Sequence, residues 1–369
     1  MATPVPGADA EIRGTWVTTT ANTALATPEA TAATMAKLRE IGLNTVYIEC
    51  WKNGYTEWPS EVARRLTGVS LKVNGAPARL QRDLLKETVT EAHRNGLNAI
   101  DWLEYGFMAA SSGTRNPLVI RGEAEGWITR TREGSIVGRQ NQFVWMNPLH
   151  PVPQQLLIDL SREVVRLYPV DGVQLDDRIA MPVEMGYDDY TRDLYRKETG
   201  QPLPADPREP AFVRWRAEKI TDFARRYARE LRKERPDLRI SVSPAPFPWS
   251  YDHYCCDWPA WTQFEGAERW DEFVVQNYRL DFPRTRASIQ EGFAQVGKRR
   301  SDLIAGIRVV GEGPDMPSAD LLQSIRFARE SGLGGHVLWF SRGVLDVYPD
   351  VLRSFYAPPD LPPAARPCG

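Results

Sequence analysis

The strongest constraint on the fold is an alternation of eight short apolar runs with helix-like segments or long loops along the chain. Strands that alternate with helical segments pair in parallel through crossover helices. Eight such units favour closure into a barrel over an open sheet, so the sequence predicts an α/β fold of the (β/α)8, or TIM barrel, class. The predicted strands are residues 13–20, 44–51, 97–106, 172–178, 239–244, 272–279, 303–310 and 335–341.

Start and stop signals delimit the helices between these runs. Thr27 is suited to cap a helix that has Pro28 at its first position and Glu29 in its first turn, and Gly42 is suited to end it. Further helices are predicted for residues 83–96, 153–168, 209–235, 283–297 and 318–332.

The domain organisation follows from length and from the position of the insertions. The chain has 369 residues, and single barrels of this class reach that size. We expect one barrel over residues 11–357, an N-terminal extension (1–10) and a disordered, proline-rich tail (358–369). The longest insertions, 52–82 and 107–151, follow the second and third strands, on the side where barrels place their active sites.

Charge and composition argue against several classes of partner. The chain has 46 basic and 48 acidic residues, and a net charge of -2 offers no field that attracts nucleic acid or anionic membrane. No apolar stretch is long enough to span a membrane. We expect a monomer that binds neither nucleic acid nor a bilayer.

The first residues lack the charged and apolar regions of a signal peptide. The protein is either intracellular or a mature form whose export signal has been removed, and the localisation stays open on this evidence. The four cysteines and four histidines form no metal-binding pattern, and neither a nucleotide-binding loop nor a nucleophile elbow occurs. We therefore expect no cofactor and no metal ion.

The fourth predicted strand ends in consecutive acids. Residues 172–178 begin apolar and finish in Asp176, Asp177 and Arg178, and a carboxylate at the end of a barrel strand lies over the barrel mouth. Adjacent acids in a partly desolvated site repel each other, so one pKa should rise, as a general acid requires. The simpler interpretation is a surface turn or helix cap that pairs with Arg178, but the position at a strand end favours a site.

Acidic and aromatic residues also cluster at other strand ends. Carboxylates bind sugar hydroxyls and aromatic rings stack on pyranose faces, so this clustering predicts a carbohydrate site. Glu49 has an alternative role as a buried structural acid paired with Arg13. The predicted substrate-binding residues are Glu49, Trp51, Tyr55, Asp101, Tyr105, Arg178, Gln276, Tyr278 and Trp339.

Five segments occur in order along the chain: RGTW at 13–16, NTVYIECWKNGY at 44–55, WLEYGFM at 102–108, DGVQLDDR at 171–178 and QNYR at 276–279. Together they resemble glycosyl hydrolase-like family 10 (GHL10), a bacterial group. The resemblance covers about residues 11–356, and DGVQLDD is its most specific part.

The resemblance implies a (β/α)8 barrel that acts on glycans of the bacterial envelope, and it implies export, which is common among relatives. Some relatives act on peptidoglycan strands without peptides, and related barrels that cleave partly deacetylated poly-N-acetylglucosamine carry a similar acid pair. Carried over, Asp176 and Asp177 become the catalytic pair, with Glu104 and Gln276 as site residues. Glu49 departs from the pattern, because many relatives are uncharged there.

These observations lead to one main hypothesis, the hydrolysis of O-glycosidic bonds in a β-linked polysaccharide that contains amino sugars. Asp176 is assigned as general acid, Asp177 as its electrostatic partner or as the group that orients a substrate acetamide, and Glu104 as base or nucleophile. Two alternatives are a barrel that binds glycan without cleaving it and a metal-dependent hydrolase that uses Glu49, Asp101, Asp176 and Asp177.

Overall fold

The computed structural model describes residues 11–69, 82–111, 114–138, 142–297 and 299–357, and the predicted extension and tail lie outside these ranges. Eight parallel strands form a closed barrel in which each strand pairs with the next and the eighth returns to the first. The predicted (β/α)8 fold is thus confirmed. The barrel strands are β1 (Ile12–Val17), β2 (Thr45–Glu49), β3 (Asn98–Leu103), β4 (Gly172–Asp176), β5 (Arg239–Ser243), β6 (Glu272–Asn277), β7 (Leu303–Arg308) and β8 (Gly335–Trp339).

The helices surround the barrel, and those predicted from the sequence begin and end within two residues of the expected positions. Thr27 accepts a hydrogen bond from the Ala30 amide at the start of α1, and Gly42 ends that helix in the left-handed conformation. The helices are α1 (Pro28–Ile41), α2 (Glu61–Thr67), α3 (Leu84–Arg94), α4 (Pro117–Glu125), α5 (Pro151–Leu167), α6 (Asp189–Thr199), α7 (Pro210–Glu234), α8 (Trp249–Tyr254), α9 (Trp258–Trp261), α10 (Phe282–Val296), α11 (Ser318–Glu330) and α12 (Pro349–Tyr356).

Each insertion contains a short antiparallel strand pair at the end of its barrel strand, a tight hairpin after β2 and, after β3, a wide one whose connection includes α4. After β2, residues Trp51–Lys52 pair with Tyr55–Thr56, and after β3, residues Met108–Ala110 pair with Val144–Trp145. These hairpins extend the wall of the barrel above its mouth on the side of β2 and β3.

Polar side chains inside the barrel are linked by hydrogen bonds across strands. Near the start of the strands, Glu272 accepts from Tyr47 at 3.1 Å and pairs with Arg239 at 3.2 Å. One layer higher, Gln174 accepts from Trp16 Nε1 at 2.8 Å and donates to a serine of β5. These contacts give most of the named polar groups a partner in the interior, while Arg239 Nη1 has no hydrogen-bond partner among the described residues.

A buried arginine holds the loop that follows β4. Arg216 of α7 is fully buried, and its Nη1 donates to the carbonyls of Val183 and Met185 at 2.7 Å each. Removing these donors would leave two buried carbonyls unpaired, which costs about 1–3 kcal/mol for each group. The loop beside the consecutive acids is therefore fixed by contacts with the helix layer.

Barrel closure depends on a glycine at the start of β8. A Cβ at Gly335 would lie 2.1 Å from the backbone oxygen of Ile12, its partner in β1, and the residue has a φ of 148°. We expect Gly335→Ala to destabilise the protein by about 3 kcal/mol or more, because backbone must shift as well as adopt an unfavourable φ.

Gly332→Ala is the matched control, because Gly332 also has a positive φ (73°) but a Cβ there would meet nothing within 4 Å. This substitution should lower the free energy of unfolding by only about 1–2 kcal/mol. Urea denaturation of the two variants measures both values, and equal losses would contradict the close approach of β1 and β8.

Candidate active site

Asp176 is the last residue of β4, and its buried carboxylate accepts four hydrogen bonds from N–H groups. Oδ1 accepts from Gln276 Nε2 and from the Asp177 amide, each at 2.7 Å. Oδ2 accepts from Trp102 Nε1 and from Arg178, each at 3.1 Å. Four donors match the four acceptor positions of an ionised carboxylate, so another donor can bind only by displacing one of them.

The amide of Gln276 is held with its nitrogen toward Asp176. Nε2 also donates to the carbonyl of Ser243 at 3.0 Å, and a flipped amide would place two oxygens face to face. Every hydrogen bond that the described residues make to the Asp176 carboxylate therefore comes from a donor.

Asp176 carries a raised pKa, as the sequence predicts for one of two neighbouring carboxyls. Burial is the main cause that raises the pKa of Asp176 well above that of an ordinary aspartate; the charge of Asp177 adds to it, and Arg178 opposes it. Because interacting carboxyls titrate together, this raised pKa describes the proton of the pair and does not by itself locate that proton on one oxygen. The side chain of Asp177 is 30% exposed and that of Asp176 only 4%, so a ligand reaches the pair through Asp177.

Ion pairs connect the aspartates to an acid that follows β3. Arg178 lies 3.1 Å from Asp176 and 3.3 Å from Asp177, and its other terminal nitrogen is 4.0 Å from Glu104. Lys52, in the hairpin after β2, is 3.1 Å from Glu104. Acids and bases thus alternate along the rim of the barrel.

Glu49 ends this row of charges and is fully buried. Its Oε1 contacts the ammonium group of Lys52, and its Oε2 accepts from the amide and the hydroxyl of Thr19 at 2.5 and 2.9 Å. The expected alternative, a pair with Arg13, is wrong, because Arg13 stacks on the Tyr356 ring, 5.8 Å from its centroid. Glu49 is nevertheless a buried acid with a cationic partner.

The two glutamates beside Lys52 have pKa values shifted in opposite directions. Burial, followed by the charge of Glu104, raises the pKa of Glu49 well above the usual range. Burial alone would also raise the pKa of Glu104, but Lys52 and Arg178 outweigh it and lower that pKa. Glu104 is therefore the anionic member, and Glu49 holds the proton.

Aromatic side chains lie directly beside the acid pair. Trp16 packs against Trp102, Tyr278 and Trp339 with ring centroids 5.8–6.3 Å apart. Trp16 and Trp102 are buried, whereas Tyr278 and Trp339 are partly exposed, with their centroids 5.7 Å apart. The last two therefore offer ring surface to a ligand in the mouth.

The predicted aromatic residues after β2 and β3 divide into two groups. Tyr105 lies between two cations, with Lys52 at 5.9 Å and Arg178 at 5.6 Å from its ring centroid, and Tyr55 is partly exposed in the first hairpin. Trp51 does not face the mouth as expected. It is 1% exposed, and its indole donates to the carbonyl of Gly106, so it supports the hairpin instead.

Asp101 is the second predicted residue that the structure places elsewhere. Successive strand residues face opposite sides, and Trp102 reaches Asp176 inside the barrel, so Asp101 points out to the helix layer. There it is fully buried beside the Cys50 thiol. Burial raises the pKa of Tyr227 on α7, and Asp101 adds to that effect. The four-acid metal set considered above is therefore not formed.

Two contributors were missed from the sequence, Lys52 and Trp102. Lys52 contacts both Glu49 and Glu104. Its position three residues after Glu49 is the sequence feature that could have indicated the contact. Trp102 donates to Asp176, and its position opposite Gln174 in the β3–β4 register gives it the same face as the acid.

The fold and the acidic rim define a (β/α)8 barrel of the glycoside hydrolase type. The chain belongs to the glycosyl hydrolase-like 10 family, whose model matches residues 11–311, so the resemblance noted from the motifs is confirmed. No helix within the described ranges is both long and apolar enough to cross a membrane.

Curated relatives carry the description glycosyl hydrolase DigH. The protein of Escherichia coli K12 is 24% identical over 258 residues, which is 66% of this chain and 52% of that protein. The protein of Shigella flexneri matches to the same extent. The chain thus spans about half the length of the curated relatives it matches.

Solved structures of glycoside hydrolases share the fold. The PgaB (BpsB) glycoside hydrolase domain of Bordetella bronchiseptica superposes with a TM-score of 0.64 at 13% identity, covering 89% of this chain and 93% of that one. The catalytic domain of β-amylase from Paenibacillus polymyxa gives a TM-score of 0.66 at 9% identity, covering 94% and 98%. At these identities the likeness shows the barrel fold alone.

The environment of Asp101 predicts a pH-dependent stability. Burial raises its pKa to about 7, so between about pH 4 and pH 7 the unfolded chain ionises this group while the folded protein keeps it neutral. This group's contribution to the free energy of unfolding therefore falls as pH rises across that window. We expect Asp101→Asn to be more stable than the wild type at pH 8, by up to about 4 kcal/mol, and similar to it at pH 4.

Asp189→Asn serves as the control, because the Asp189 side chain is 94% exposed on α6. Denaturant unfolding from pH 4 to pH 8 measures all three proteins. A constant difference between Asp101→Asn and the wild type at every pH would contradict the assignment.

Proposed function

We propose that the protein hydrolyses O-glycosidic bonds of a bacterial envelope or extracellular polysaccharide that contains amino sugars, by acid catalysis at the Asp176–Asp177 pair. The observation that carries the proposal is the buried Asp176 carboxylate with four N–H donors, next to an acid that is open to the mouth. Membership of the family supports glycoside chemistry, and the resemblance to barrels that act on envelope glycans supports an amino-sugar substrate.

The geometry favours a division of roles that reverses the one expected from sequence. A proton on Asp176 would have to displace a donor, since each of its four partners is an N–H group. Asp177 is more exposed, and its Oδ1 accepts no hydrogen bond from the described residues, its nearest cation being Arg178 at 3.3 Å. We therefore assign Asp177 to deliver the proton to the glycosidic oxygen and Asp176 to hold charge beside it.

In this scheme the proton of Asp177 moves to the leaving oxygen as the bond between that oxygen and the anomeric carbon breaks. The positive charge that develops on the sugar ring is stabilised by Asp176 at close range. Water supplies the hydroxyl for the anomeric carbon, and its second proton restores Asp177. Glu104, held anionic by Lys52 and Arg178, is placed to bind sugar hydroxyls or to assist the water.

Three partly exposed rings, Tyr55, Tyr278 and Trp339, and the largely buried Tyr105 (8% exposed) would hold the sugar over the pair. Tyr278 and Trp339 present adjacent faces at the mouth, and stacked rings orient a pyranose without charge. Tyr55 and Tyr105 lie on the opposite side, where Tyr105 is fixed between two cations. We propose these four aromatic residues as the substrate-binding set, together with Gln276 and Arg178 as groups that position the acids.

The test compares Asp177→Asn with Asp176→Asn on peptidoglycan glycan strands and on partly deacetylated poly-N-acetylglucosamine, with release of reducing ends as the measurement. Both variants should lose at least about 100-fold in kcat/KM, because a proton donor and its charge partner are each removed. An aryl glycoside with a good leaving group needs little acid assistance, so it should restore Asp177→Asn and leave Asp176→Asn inactive.

Stability provides the control for these variants. An asparagine at 176 turns an amide nitrogen toward existing donors, so we expect a loss of about 1–3 kcal/mol there and little change for Asp177→Asn. If the aryl glycoside restores the activity of Asp176→Asn instead, the proton donor is Asp176. Full activity of both variants, or glycan binding by the wild type with no release of reducing ends, would refute the proposed hydrolysis and leave a glycan-binding barrel.

A further inference from the structure

An exposed tryptophan stands on the segment that follows β5, on the same side of the barrel as the acid pair. Trp249 is 47% exposed, and its ring stacks on His253 at a centroid distance of 5.0 Å and an interplanar angle of 26°. Tyr254 supports the ring at 5.2 Å and itself packs on Trp145 at 6.0 Å. We call Trp249, His253 and Tyr254 the aromatic platform.

The aromatic platform differs from an ordinary exposed apolar residue. Single exposed apolar side chains are common on protein surfaces and need no explanation. The other large apolar residues with high exposure in the described part of the chain are aliphatic: Ile120, Leu167 and Leu280. Trp249 instead is braced by two rings, so its face is held in one orientation while open to water.

Backbone hydrogen bonds join the aromatic platform to the loop that carries the acid pair. The Met181 amide donates to the carbonyl of Tyr254 at 2.9 Å, and the Val183 amide donates to that of His253 at 2.8 Å. Met181 is four residues after Asp177, which is at most about 15 Å of extended chain. The segment that follows the acid pair thus also holds the backbone of the platform.

A second set of interactions also places the platform segment near Asp177. Cys256 and Ser250, the neighbour of Trp249, exchange two hydrogen bonds of 3.1 Å. Burial raises the pKa of the Cys256 thiol, and the charges of Asp257 and Asp177 add to that effect, so Asp177 acts on the base of the platform segment. The loops after β4 and β5 therefore hold Trp249 at a fixed position relative to Asp177.

We propose that the aromatic platform is an outer binding site for the same glycan chain whose bond lies at the acid pair. A fixed indole face, open on one side and without charge, suits stacking against a pyranose ring. The platform lies beyond the sugar residues in the mouth, so it contacts only chains long enough to reach it. The substrate is accordingly a polymer, and short fragments bind more weakly; this inference rests on the proposed function.

The experiment measures binding separately from hydrolysis by using the inactive Asp177→Asn protein as background. Trp249→Ala and Trp249→Phe are added to it, with Leu167→Ala as the control, since Leu167 is 60% exposed at the end of α5 that lies away from the mouth. The probes are soluble partly deacetylated chitosan, peptidoglycan glycan strands and chitotriose, titrated by calorimetry.

We expect Trp249→Ala to weaken the affinity for at least one polymer by about tenfold, and Trp249→Phe to weaken it less. Affinity for chitotriose should be the same in all proteins, and Leu167→Ala should match its background. In the catalytically active protein, Trp249→Ala should raise KM for the polymer and leave kcat unchanged.

Unchanged polymer affinity in Trp249→Ala, or an equal loss with chitotriose, would overturn the outer site even if the acid pair hydrolyses glycans. Absence of polymer binding by the Asp177→Asn background would overturn it as well. A tenfold loss of polymer binding in a protein that releases no reducing ends would support the outer site and refute the proposed hydrolysis.

Discussion

The structure of the mouth depends on the desolvation of one carboxylate. Asp176 is withdrawn from water at the end of β4, and such burial is unfavourable unless hydrogen bonds replace the lost hydration. The replacements come from β3, β6 and the two residues that follow Asp176 itself. Closure of the barrel is what brings these strands around one point, so the fold and the electrostatics of the site are inseparable.

The same need for compensation explains the row of alternating charges along β2, β3 and β4. Glu104 is anionic because Lys52 and Arg178 flank it, and Glu49 retains a proton because burial and Glu104 disfavour a further charge. Removing Lys52 or Glu104 would leave its buried neighbour without a counter-charge, which is more costly than the pair is favourable. The rim is therefore a single electrostatic unit.

The fold could be predicted from the sequence because its signals are local. Caps such as Thr27 and Gly42 and the alternation of strands with helices determine the elements and their order. The acid pair could be predicted too, because a strand end has a defined position in a barrel. The orientation of Asp101 could not be predicted, because β3 is buried on both faces and its sequence does not show which residues point inward.

Lys52 and Trp51 illustrate a second limit. Their side chains lie beyond β2, where direction is determined by the hairpin turn at Asn53 and Gly54, both with positive φ, and no longer by the strand period. The role of Asp176 could not be predicted from the sequence either, because its hydrogen-bond donors come from positions up to 100 residues away. Patterns along the chain reveal which residues are near a strand end, but only the assembled barrel shows what each one contacts.

The two walls of the mouth come from different parts of the chain. The charged wall is built from the ends of β2, β3 and β4 and the hairpin after β2, whereas the aromatic wall is built from the ends of β6 and β8 and the segment after β5. Substitution of Tyr278 or Trp339 can therefore change the ring surface at the mouth without disturbing the ionic groups of the first half, because the two sets of side chains come from separate segments.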